Sequence, residues 1–412
     1  MADSAHTAAE LPLSGTVVVE LGDSASAPFS GQVLAALGAE VWKVERPGAG
    51  DSSRGWGPSR WRGSGAAFHA LNRGKRSIGL DLKDPAQLST LHDLIERHAD
   101  VFLHNLRPGS AAQYGLDAAS LRARKPRLVC SELGAFGDAG PLRTEPGYDP
   151  MMQAFAGIMG LTGEEGQAPV RAGVSIIDFG AGLWLALGTV AALLRRERSG
   201  HGAAVSGSLL ETAMAWMSIN IANHAADGDP GGRHGSGVAI IVPHRAYAAA
   251  DGHLVVSAAN DRLFARLAAA LGHPEWAADP KFSTNAVRLS HRREIDGLIG
   301  HVIAQQPRAW WQDRLSRAGL PCAPVQTVDE LVRHPQAQAL GLLDRQDGSD
   351  LAMVGLPLSF DGRRPPPLAP APDIGQHDAE LWRALGRAPS GHADQDVPAG
   401  SPRAQSARAK PA

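Results

Sequence analysis

The stretch TVVVELGDSASAPFSGQVLAALGAEVWKVERPG, residues 16–48, decides the fold class because it contains a complete strand-helix-strand pattern. The β-branched run at its start, residues 16–21, predicts a buried strand. Pro28 suits the first turn of a helix, and Gly38 suits the position just past its end. Residues 39–44 (AEVWKV) predict the next strand. Two strands joined by a helix indicate a parallel sheet.

The same alternation continues along the chain and predicts an α/β fold with helices on both faces of the sheet. Asp84 caps a second helix, whose first residue is Pro85. A long helix at residues 180–198 is apolar almost all round, so we expect it to be buried. Further strands of this part are predicted at residues 77–80, 101–103, 127–130 and 203–205.

Two irregular stretches divide the chain. The turn-rich segment DGDPGGRHGSG, residues 227–237, and a proline-rich segment, residues 363–372, are interpreted as connections. A smaller α+β unit is predicted between them, and a last helix is predicted after them at residues 377–385. The smaller unit contains a strand at residues 254–257 and helices at residues 262–271, 308–317 and 328–333. The tail, residues 389–412, lacks large apolar side chains and is predicted to be disordered.

Size and charge restrict the class of protein. A length of 412 residues favours two domains, or one large domain with an insertion. The 40 basic and 42 acidic residues give a net charge of −2, which argues against a nucleic-acid partner. The two cysteines, Cys130 and Cys322, cannot form a disulfide framework or a cysteine-based zinc site.

The sequence shows no targeting or membrane signal. Its start lacks the charged region and apolar core of a signal peptide. The most apolar stretch, residues 179–194, is interrupted by glycines and is predicted to be too short to span a membrane. We therefore expect a cytoplasmic protein without a membrane partner.

The motifs of several common cofactors are missing. A dinucleotide-binding turn needs GxGxxG after the first strand, whereas residues 22–28 are GDSASAP. Neither GxxxxGK[ST] nor HExxH occurs, and the 16 histidines show no metal-ligand spacing. We therefore expect no NAD, no metal and no tightly bound cofactor.

Basic and amide side chains follow the ends of the predicted strands. Arg46 follows the second strand, Lys83 the third, and Asn105 and Arg107 the fourth. Ligands of open α/β sheets bind outside the carboxyl ends of the strands, and arginine and lysine pair with phosphate oxygens. A ligand with several phosphates therefore suits these positions. Spacing alone favours the other interpretation, in which these are solvated surface charges, because charged loop residues are usually solvated.

Asp178 lies between Ile177 and Phe179, where the long apolar helix is predicted to begin. One interpretation is a helix N-cap, because aspartate satisfies the free N–H groups of a first turn. The other is a nucleophile, since the helix dipole keeps the carboxylate ionised while burial strips its hydration. Local sequence leaves both interpretations open.

Several longer stretches resemble the class III CoA-transferases, the family of formyl-CoA transferase and carnitine CoA-transferase. Residues 38–48 (GAEVWKVERPG) are similar to the family's LGADVIKVERPG, and residues 72–77 (NRGKRS) to its NRNKRS. Residues 99–109 contain ADV and NLRPG, similar to its ADV and ENFRPG, and residues 147–154 resemble its GYD...QA motif. These matches follow the family's order along most of the chain.

The resemblance implies a Rossmann-like large domain and an interlocked dimer. The large, CoA-binding domain would comprise residues 11–226 and be completed by residues 340–388. Residues 238–339 would form the small α+β domain. Each monomer of this family is a ring, and two rings pass through each other in a homodimer.

The resemblance also implies site residues and a reaction. The family's nucleophilic aspartate falls on Asp178. Its CoA contacts fall on Ala25, Ser26, Arg46, Leu80, Lys83, Asn105, Leu106 and Arg107. The implied substrates are an acyl-CoA and a free carboxylic acid, and the implied intermediates are mixed anhydrides and an aspartyl-CoA thioester. Because an anhydride hydrolyses easily, such a site must exclude water.

The chain departs from the family pattern in two places. The family's common arginine after its PG motif is Gln113 here. The long glycine run that closes over the intermediate in formyl-CoA transferase is reduced to residues 235–237 (GSG), which makes a formyl or oxalyl substrate less expected. Residues 233–247 instead resemble the branch that uses succinyl-CoA and other dicarboxylates.

Two other functions remain open at this point. An α-methylacyl-CoA racemase, from the same superfamily, uses a histidine–aspartate pair, but Tyr148 stands where its histidine is expected. A non-catalytic CoA-binding protein would keep Arg46 and Lys83 but would not need Asp178. A thioester-exchange assay separates the non-catalytic protein from the transferase.

Overall fold

The computed structural model describes residues 11–345 and 351–386. Its main element is a six-stranded sheet in which every neighbouring pair of strands is parallel. The strands are β1 (Val17–Leu21), β2 (Glu40–Glu45), β3 (Lys75–Gly79), β4 (Val101–His104), β5 (Val129–Gly134) and β6 (Ala204–Ser208). The α/β fold with a central parallel sheet is therefore confirmed.

The strand order places a ligand crevice at a definite point of the sheet. The order across the sheet is β3-β2-β1-β4-β5-β6, which is the order of doubly wound dinucleotide-binding folds. The direction of winding reverses between β1 and β4. Ligands bind at such a switch point, outside the carboxyl ends of the strands.

Ten helices accompany this sheet in the first part of the described chain. They are α1 (Ser26–Ala36), α2 (Ala66–Asn72), α3 (Pro85–His98), α4 (Ser110–Gln113), α5 (Ala118–Arg124), α6 (Asp149–Phe155), α7 (Ile158–Leu161), α8 (Ile176–Ser199), α9 (Leu209–Trp216) and α10 (Ser218–Asp227). A two-residue ladder joins Arg60–Trp61 to Ser64–Gly65. Successive side chains of a strand point to opposite faces of the sheet, so each face has its own hydrophobic core. In β1, Val18 packs with α1 and α8 on one face, and Val19 packs with α3 and α5 on the other.

A second, antiparallel sheet has its own hydrophobic core. Its strands are β7 (His244–Ala249), β8 (Gly252–Ser257) and β9 (Cys322–Pro324), with β8 in the centre. The helices of this part are α11 (Asp261–Leu271), α12 (Asn285–Ser290), α13 (Arg292–Ile303), α14 (Arg308–Arg317), α15 (Val328–Arg333) and α16 (Pro335–Ala339). The core includes Leu254, Phe264 and Trp311. The predicted helices at residues 308–317 and 328–333 have the bounds that were expected.

The last described segment returns to the first sheet. A hairpin of β10 (Leu343–Arg345) and β11 (Ala352–Val354) precedes α17 (Asp378–Ala384). The backbone N–H of Gly79 donates to Asp378 Oδ1 at 2.8 Å, and Leu381 of α17 enters the core shared with β2 and β3. The predicted disordered tail lies outside the described residues.

The expectation that the long apolar helix is buried is wrong for one of its faces. Gly182 and Leu185 of α8 pack inside the fold, but Leu183 is 52% exposed and Leu187 56% exposed. By length and composition alone α8 could span a membrane, although residues 179–194 were predicted to be too short for this. Half of the most apolar window of α8 is buried in the fold. The described residues therefore leave an apolar face of α8 uncovered.

Candidate active site

A cavity of about 820 Å³ opens at the carboxyl ends of the strands, next to the switch point. It is lined by residues that follow β1, β2, β3, β4 and β5 and by the start of α8. The predicted site residues that line it are Ser26, Arg46, Leu80, Lys83, Asn105, Leu106, Arg107 and Asp178. Ala25 does not line it and is buried at the start of α1. The fold thus gathers eight of the nine predicted residues around one space.

Three cations surround the cavity. The side chains of Arg46, Lys83 and Arg107 are exposed, and within residues 11–345 and 351–386 none of them has a carboxylate within ion-pair distance. Their charge is therefore available to an anion. Arginine and lysine in this setting suit phosphate oxygens.

Beneath the cavity lies a buried ion network that sequence reasoning missed. It contains three cations and three carboxylates, namely Glu20, Lys43, Glu45, Asp51, Arg54 and Lys75. Lys43 Nζ lies 2.8 Å from Asp51 Oδ2, and Lys75 Nζ lies 2.7 Å from Glu20 Oε2. Charged residues inside strands predicted to be buried were the available signal, because buried charges need partners.

The network shifts the pKa values of its two lysines in opposite directions. Burial acts to lower the pKa of Lys43, but Glu20, Asp51 and Glu45 overcome it and hold that pKa above its ordinary value. For Lys75 burial prevails over the attraction of Glu20 and lowers the pKa to about 8. The network contains equal numbers of basic and acidic side chains, so their charges largely compensate one another, and the exposed cations remain available to attract a ligand.

Asn105 connects two of the loops that line the cavity. The Asp23 backbone N–H donates to Asn105 Oδ1 at 3.0 Å, and Asn105 Nδ2 donates to the Asp23 carbonyl at 2.8 Å. Ser24, which follows Asp23, has a φ of 73°, which is uncommon outside glycine. Its N–H donates to Asp51 Oδ1 at 3.3 Å. Asn105 therefore holds the loop that leads into α1.

Asp178 is not the N-cap of its helix, so that interpretation is wrong. It is the third residue of α8, and the Ser175 side chain at the N-cap position makes no capping hydrogen bond. The cap is supplied by Asp149, whose Oδ2 accepts from the N–H of Ile177 at 2.7 Å and from the N–H of Asp178 at 3.3 Å. Gln153 donates to the other oxygen of Asp149 at 2.6 Å. The Asp178 carboxylate is therefore free to face the cavity.

The Asp178 carboxylate contacts helix α1. Ser26 Oγ donates to Asp178 Oδ1 at 2.5 Å. The two helices approach closely because Gly182 has no side chain; a Cβ there would lie 2.4 Å from the Ser26 carbonyl oxygen. Burial raises the pKa of Asp178, the hydrogen bond from Ser26 opposes this rise, and the charge of Asp149 adds to it.

Other features bear on the chemistry of the cavity. Tyr148 also lines it and is 64% exposed. No histidine is among the described residues that line it, and the described residues contain no group of three possible metal ligands.

Gln113 and Gly235–Gly237 do not line the cavity. The Gly235 N–H instead donates to the Gly163 carbonyl at 2.9 Å.

A doubly wound sheet, three exposed cations and a half-buried carboxylate beside one cavity are features that suit an enzyme acting on a phosphate-bearing substrate. The sequence profile described as CoA-transferase family III matches residues 13–378. This chain belongs to that family and is a family III CoA-transferase, as its motifs indicated.

Named relatives cover most of the chain. A succinate–glutarate CoA-transferase of Agrobacterium fabrum is 35% identical over 387 residues, which cover 91% of this chain and 96% of the relative. A succinyl-CoA–D-citramalate CoA-transferase of Chloroflexus aurantiacus is 34% identical, covering 91% of this chain and 94% of the relative. The crystal structure of a CAIB/BAIF family protein from Brucella suis superposes with a TM-score of 0.84 at 33% identity, covering 91% of this chain and 99% of that chain.

Proposed function

We propose that this enzyme moves CoA from succinyl-CoA, or another dicarboxylyl-CoA, to a free carboxylic acid through a covalent aspartyl-CoA thioester on Asp178. The proposal rests mainly on the position of the Asp178 carboxylate. This carboxylate does not cap its helix, and it lines the same cavity as the three exposed cations. The names of the relatives from Agrobacterium and Chloroflexus support the dicarboxylate class.

In the proposed reaction one oxygen of Asp178 attacks the thioester carbonyl of the donor. The C–S bond breaks, giving a mixed anhydride and CoA thiolate. The thiolate attacks the aspartyl carbon, forming aspartyl-CoA and releasing the donor acid. The acceptor carboxylate then displaces the thiolate to form a second anhydride, and the thiolate attacks the acceptor carbonyl. This last attack gives the new acyl-CoA and restores the carboxylate, so no net proton transfer is needed.

The charge around the cavity suits CoA, which carries several phosphates. Its phosphates would pair with Arg46, Lys83 and Arg107, which have no competing carboxylate among the described residues. Of the remaining predicted contacts, Ser26, Leu80, Asn105 and Leu106 would shape the wall around the nucleotide and pantetheine, whereas Ala25 does not line the cavity. CoA enters and leaves as substrate, and no tightly bound cofactor is proposed.

The two rival functions are less well supported. Racemisation alpha to a thioester needs a second base beside the aspartate, and the described lining of the cavity supplies Tyr148 but no histidine. A non-catalytic CoA-binding protein would not need a carboxylate in the cavity that accepts a hydrogen bond from a buried hydroxyl. Asp178 is such a carboxylate, and Ser26 supplies the hydroxyl.

The test is a screen of acyl-CoA donors against free carboxylic acids, with products identified by mass spectrometry. We expect transfer of CoA from succinyl-CoA or a related dicarboxylyl-CoA to a second acid. Racemisation of a 2-methylacyl-CoA without transfer to any acid, or binding without turnover of any donor, would contradict the proposal.

Replacing Arg46 with alanine should weaken the binding of CoA about tenfold. A hydrogen bond to a charged group is worth roughly 1.5–3 kcal/mol, and the exposure of Arg46 favours the low end of that range. Calorimetric titration with CoA measures the effect. Arg333→Ala is the control, since Arg333 is an exposed arginine of α15 paired with Asp329. Equal affinities of the two variants would remove Arg46 from the proposed site.

We also propose that the enzyme is an interlocked homodimer with the domain division implied by its family: residues 11–226 with 340–388, and residues 238–339. Large apolar side chains stay exposed on several helices, and such a surface is typical of an interaction site. They include Met151, Phe155, Leu183, Leu187, Trp216 and Ile219. The cytoplasmic location stays a prediction.

The dimer should not dissociate on dilution. An interface of this kind belongs to the obligate class of roughly 2,000–5,000 Å², and separating interlocked rings requires partial unfolding. Light scattering over a wide range of concentrations measures the mass, with and without residues 389–412. A folded and active monomer at any concentration would rule out the interlocked dimer.

A further inference from the structure

The hydroxyl of Ser26 contacts a reacting group rather than only a ligand surface. Ser26 is the first residue of α1 and is 6% exposed. Its Oγ donates to Oδ1 of Asp178 at 2.5 Å, the short distance expected for a hydrogen bond to a carboxylate. Family resemblance assigns Ser26 to CoA binding, but the structure turns its only side-chain donor toward the nucleophile.

We propose that Ser26 directs the reaction of Asp178: its hydroxyl holds Oδ1, leaves Oδ2 as the attacking oxygen, and stabilises the negative charge that develops on Oδ1 when CoA thiolate attacks the aspartyl carbon. This inference rests on the proposed function, because it concerns the covalent steps at Asp178.

The two oxygens of Asp178 have different surroundings. Oδ1 accepts a hydrogen bond from the Ser26 hydroxyl, whereas no described residue donates a hydrogen bond to Oδ2. A lone pair engaged in a short hydrogen bond is a poorer nucleophile than a free one. Attack through Oδ2 therefore forms the anhydride bond at Oδ2 and leaves Oδ1 as the aspartyl carbonyl oxygen.

The second step places charge on the oxygen that Ser26 contacts. When the thiolate forms its bond to Cγ, the carbonyl electron pair moves onto Oδ1. Collapse of this adduct breaks the Cγ–Oδ2 bond, and the donor acid leaves as a carboxylate that carries Oδ2. Charge passes from sulfur to Oδ1 and then to the departing carboxylate. A buried donor aimed at Oδ1 stabilises this adduct, as oxyanion-hole donors do.

The geometry is held by the packing of α1 against α8. Gly182, one turn beyond Asp178, lies against the Ser26 carbonyl, where a Cβ would approach to 2.4 Å. Burial also protects the hydrogen bond from competing water, so it is stronger than on the surface. Ser26 is therefore positioned before substrate binds.

The test compares Ser26→Ala and Ser26→Thr with Ser30→Ala. Ser30 lies one turn further along α1, is fully buried, and its hydroxyl has no partner in residues 11–345 and 351–386. We expect Ser26→Ala to lower kcat by about 10- to 100-fold with little change in the KM for the acyl-CoA. Ser26→Thr, which keeps the hydroxyl, should recover much of kcat, and Ser30→Ala should match the wild type.

The pH profile gives a second readout that a purely structural role would not move. The Ser26 hydrogen bond lowers the pKa of Asp178, so its loss raises that pKa. Because the ionised carboxylate reacts, the acidic limb of kcat/KM should move to higher pH in Ser26→Ala. It should stay in place in Ser30→Ala. Thermal unfolding of each variant shows that the loss of rate is not a loss of folded protein.

The outcomes separate this inference from the proposed function. A raised KM with unchanged kcat and an unmoved acidic limb would return Ser26 to CoA binding and overturn the inference, while the wild type still transfers CoA. If the wild type transfers CoA to no acid, the proposed function fails first. If Ser26→Thr does not fold, the comparison of Ser26→Ala with Ser30→Ala still decides.

Discussion

Asp178→Asn and Asp178→Ala should reduce CoA transfer by roughly 10⁴-fold or more while the protein stays folded, because loss of a covalent nucleophile removes the reaction path itself. The fold should survive since Asp149, and not Asp178, accepts the free N–H groups at the start of α8. Steady-state transfer and thermal unfolding are the two measurements.

Stability should even rise slightly in Asp178→Asn at neutral pH. The pKa of Asp178 is raised in the folded protein, first by burial, so the folded state binds this proton more tightly than the unfolded state does. The ionised carboxylate therefore costs stability as the pH rises from the unfolded pKa through the folded one. A neutral amide avoids this cost.

Asp313→Asn is the control, since Asp313 forms an exposed pair with Arg317. Transfer by Asp178→Asn at the control's rate would remove Asp178 from the reaction.

Gly182→Val should lower activity about 100-fold even in the molecules that remain folded. A Cβ at Gly182 would lie 2.4 Å from the Ser26 carbonyl oxygen and 3.0 Å from Phe29 Cδ1, so α8 must move away from α1. That movement separates Asp178 from Ser26, and a displacement of about 1 Å at a reacting group can cost about 10²-fold in rate. Overpacking should also lower the free energy of unfolding by about 1–3 kcal/mol.

Gly297→Ala is the matched control for this substitution. Gly297 also lies within a helix, α13, but a Cβ there would meet nothing within 4 Å. Alanine is the better helix former, so this variant should be as active as the wild type and at least as stable. Denaturant unfolding and kcat are measured for both variants. A Gly182→Val enzyme with wild-type kcat would show that the contact between α1 and α8 does not set the site.

The sheet and the cations at its edge could be predicted from the sequence because both depend on local patterns. A β-branched run followed by Pro28 and Gly38 predicts a strand and then a helix, and the structure has β1 and α1 there. Since all strands of a parallel sheet end at the same edge, Arg46, Lys83 and Arg107 had to meet there. Family motifs then added Asp178.

The features that the sequence did not reveal depend on contacts between distant residues. The carboxylate that caps α8 belongs to Asp149, 28 residues before the Ile177 N–H group that it accepts from. If the contact between Asp149 and the start of α8 is not known, a capping role for Asp178 is the simpler interpretation. The hydroxyl that meets Asp178 lies 152 residues away, on α1. Apolar composition of α8 likewise could not show which of its faces the described chain leaves exposed.

The most direct test of the account is to trap the acyl group of Asp178 during turnover. The wild-type enzyme is mixed with the acyl-CoA donor that it uses best, without acceptor, and quenched with hydroxylamine. This reagent converts an aspartyl thioester or anhydride into a stable hydroxamate. Peptide mass spectrometry should then find the hydroxamate on Asp178, and it should be missing from Asp178→Asn and from enzyme without donor. An enzyme that transfers CoA, yet carries the adduct on another residue or on none at any quench time, would contradict the covalent role of Asp178.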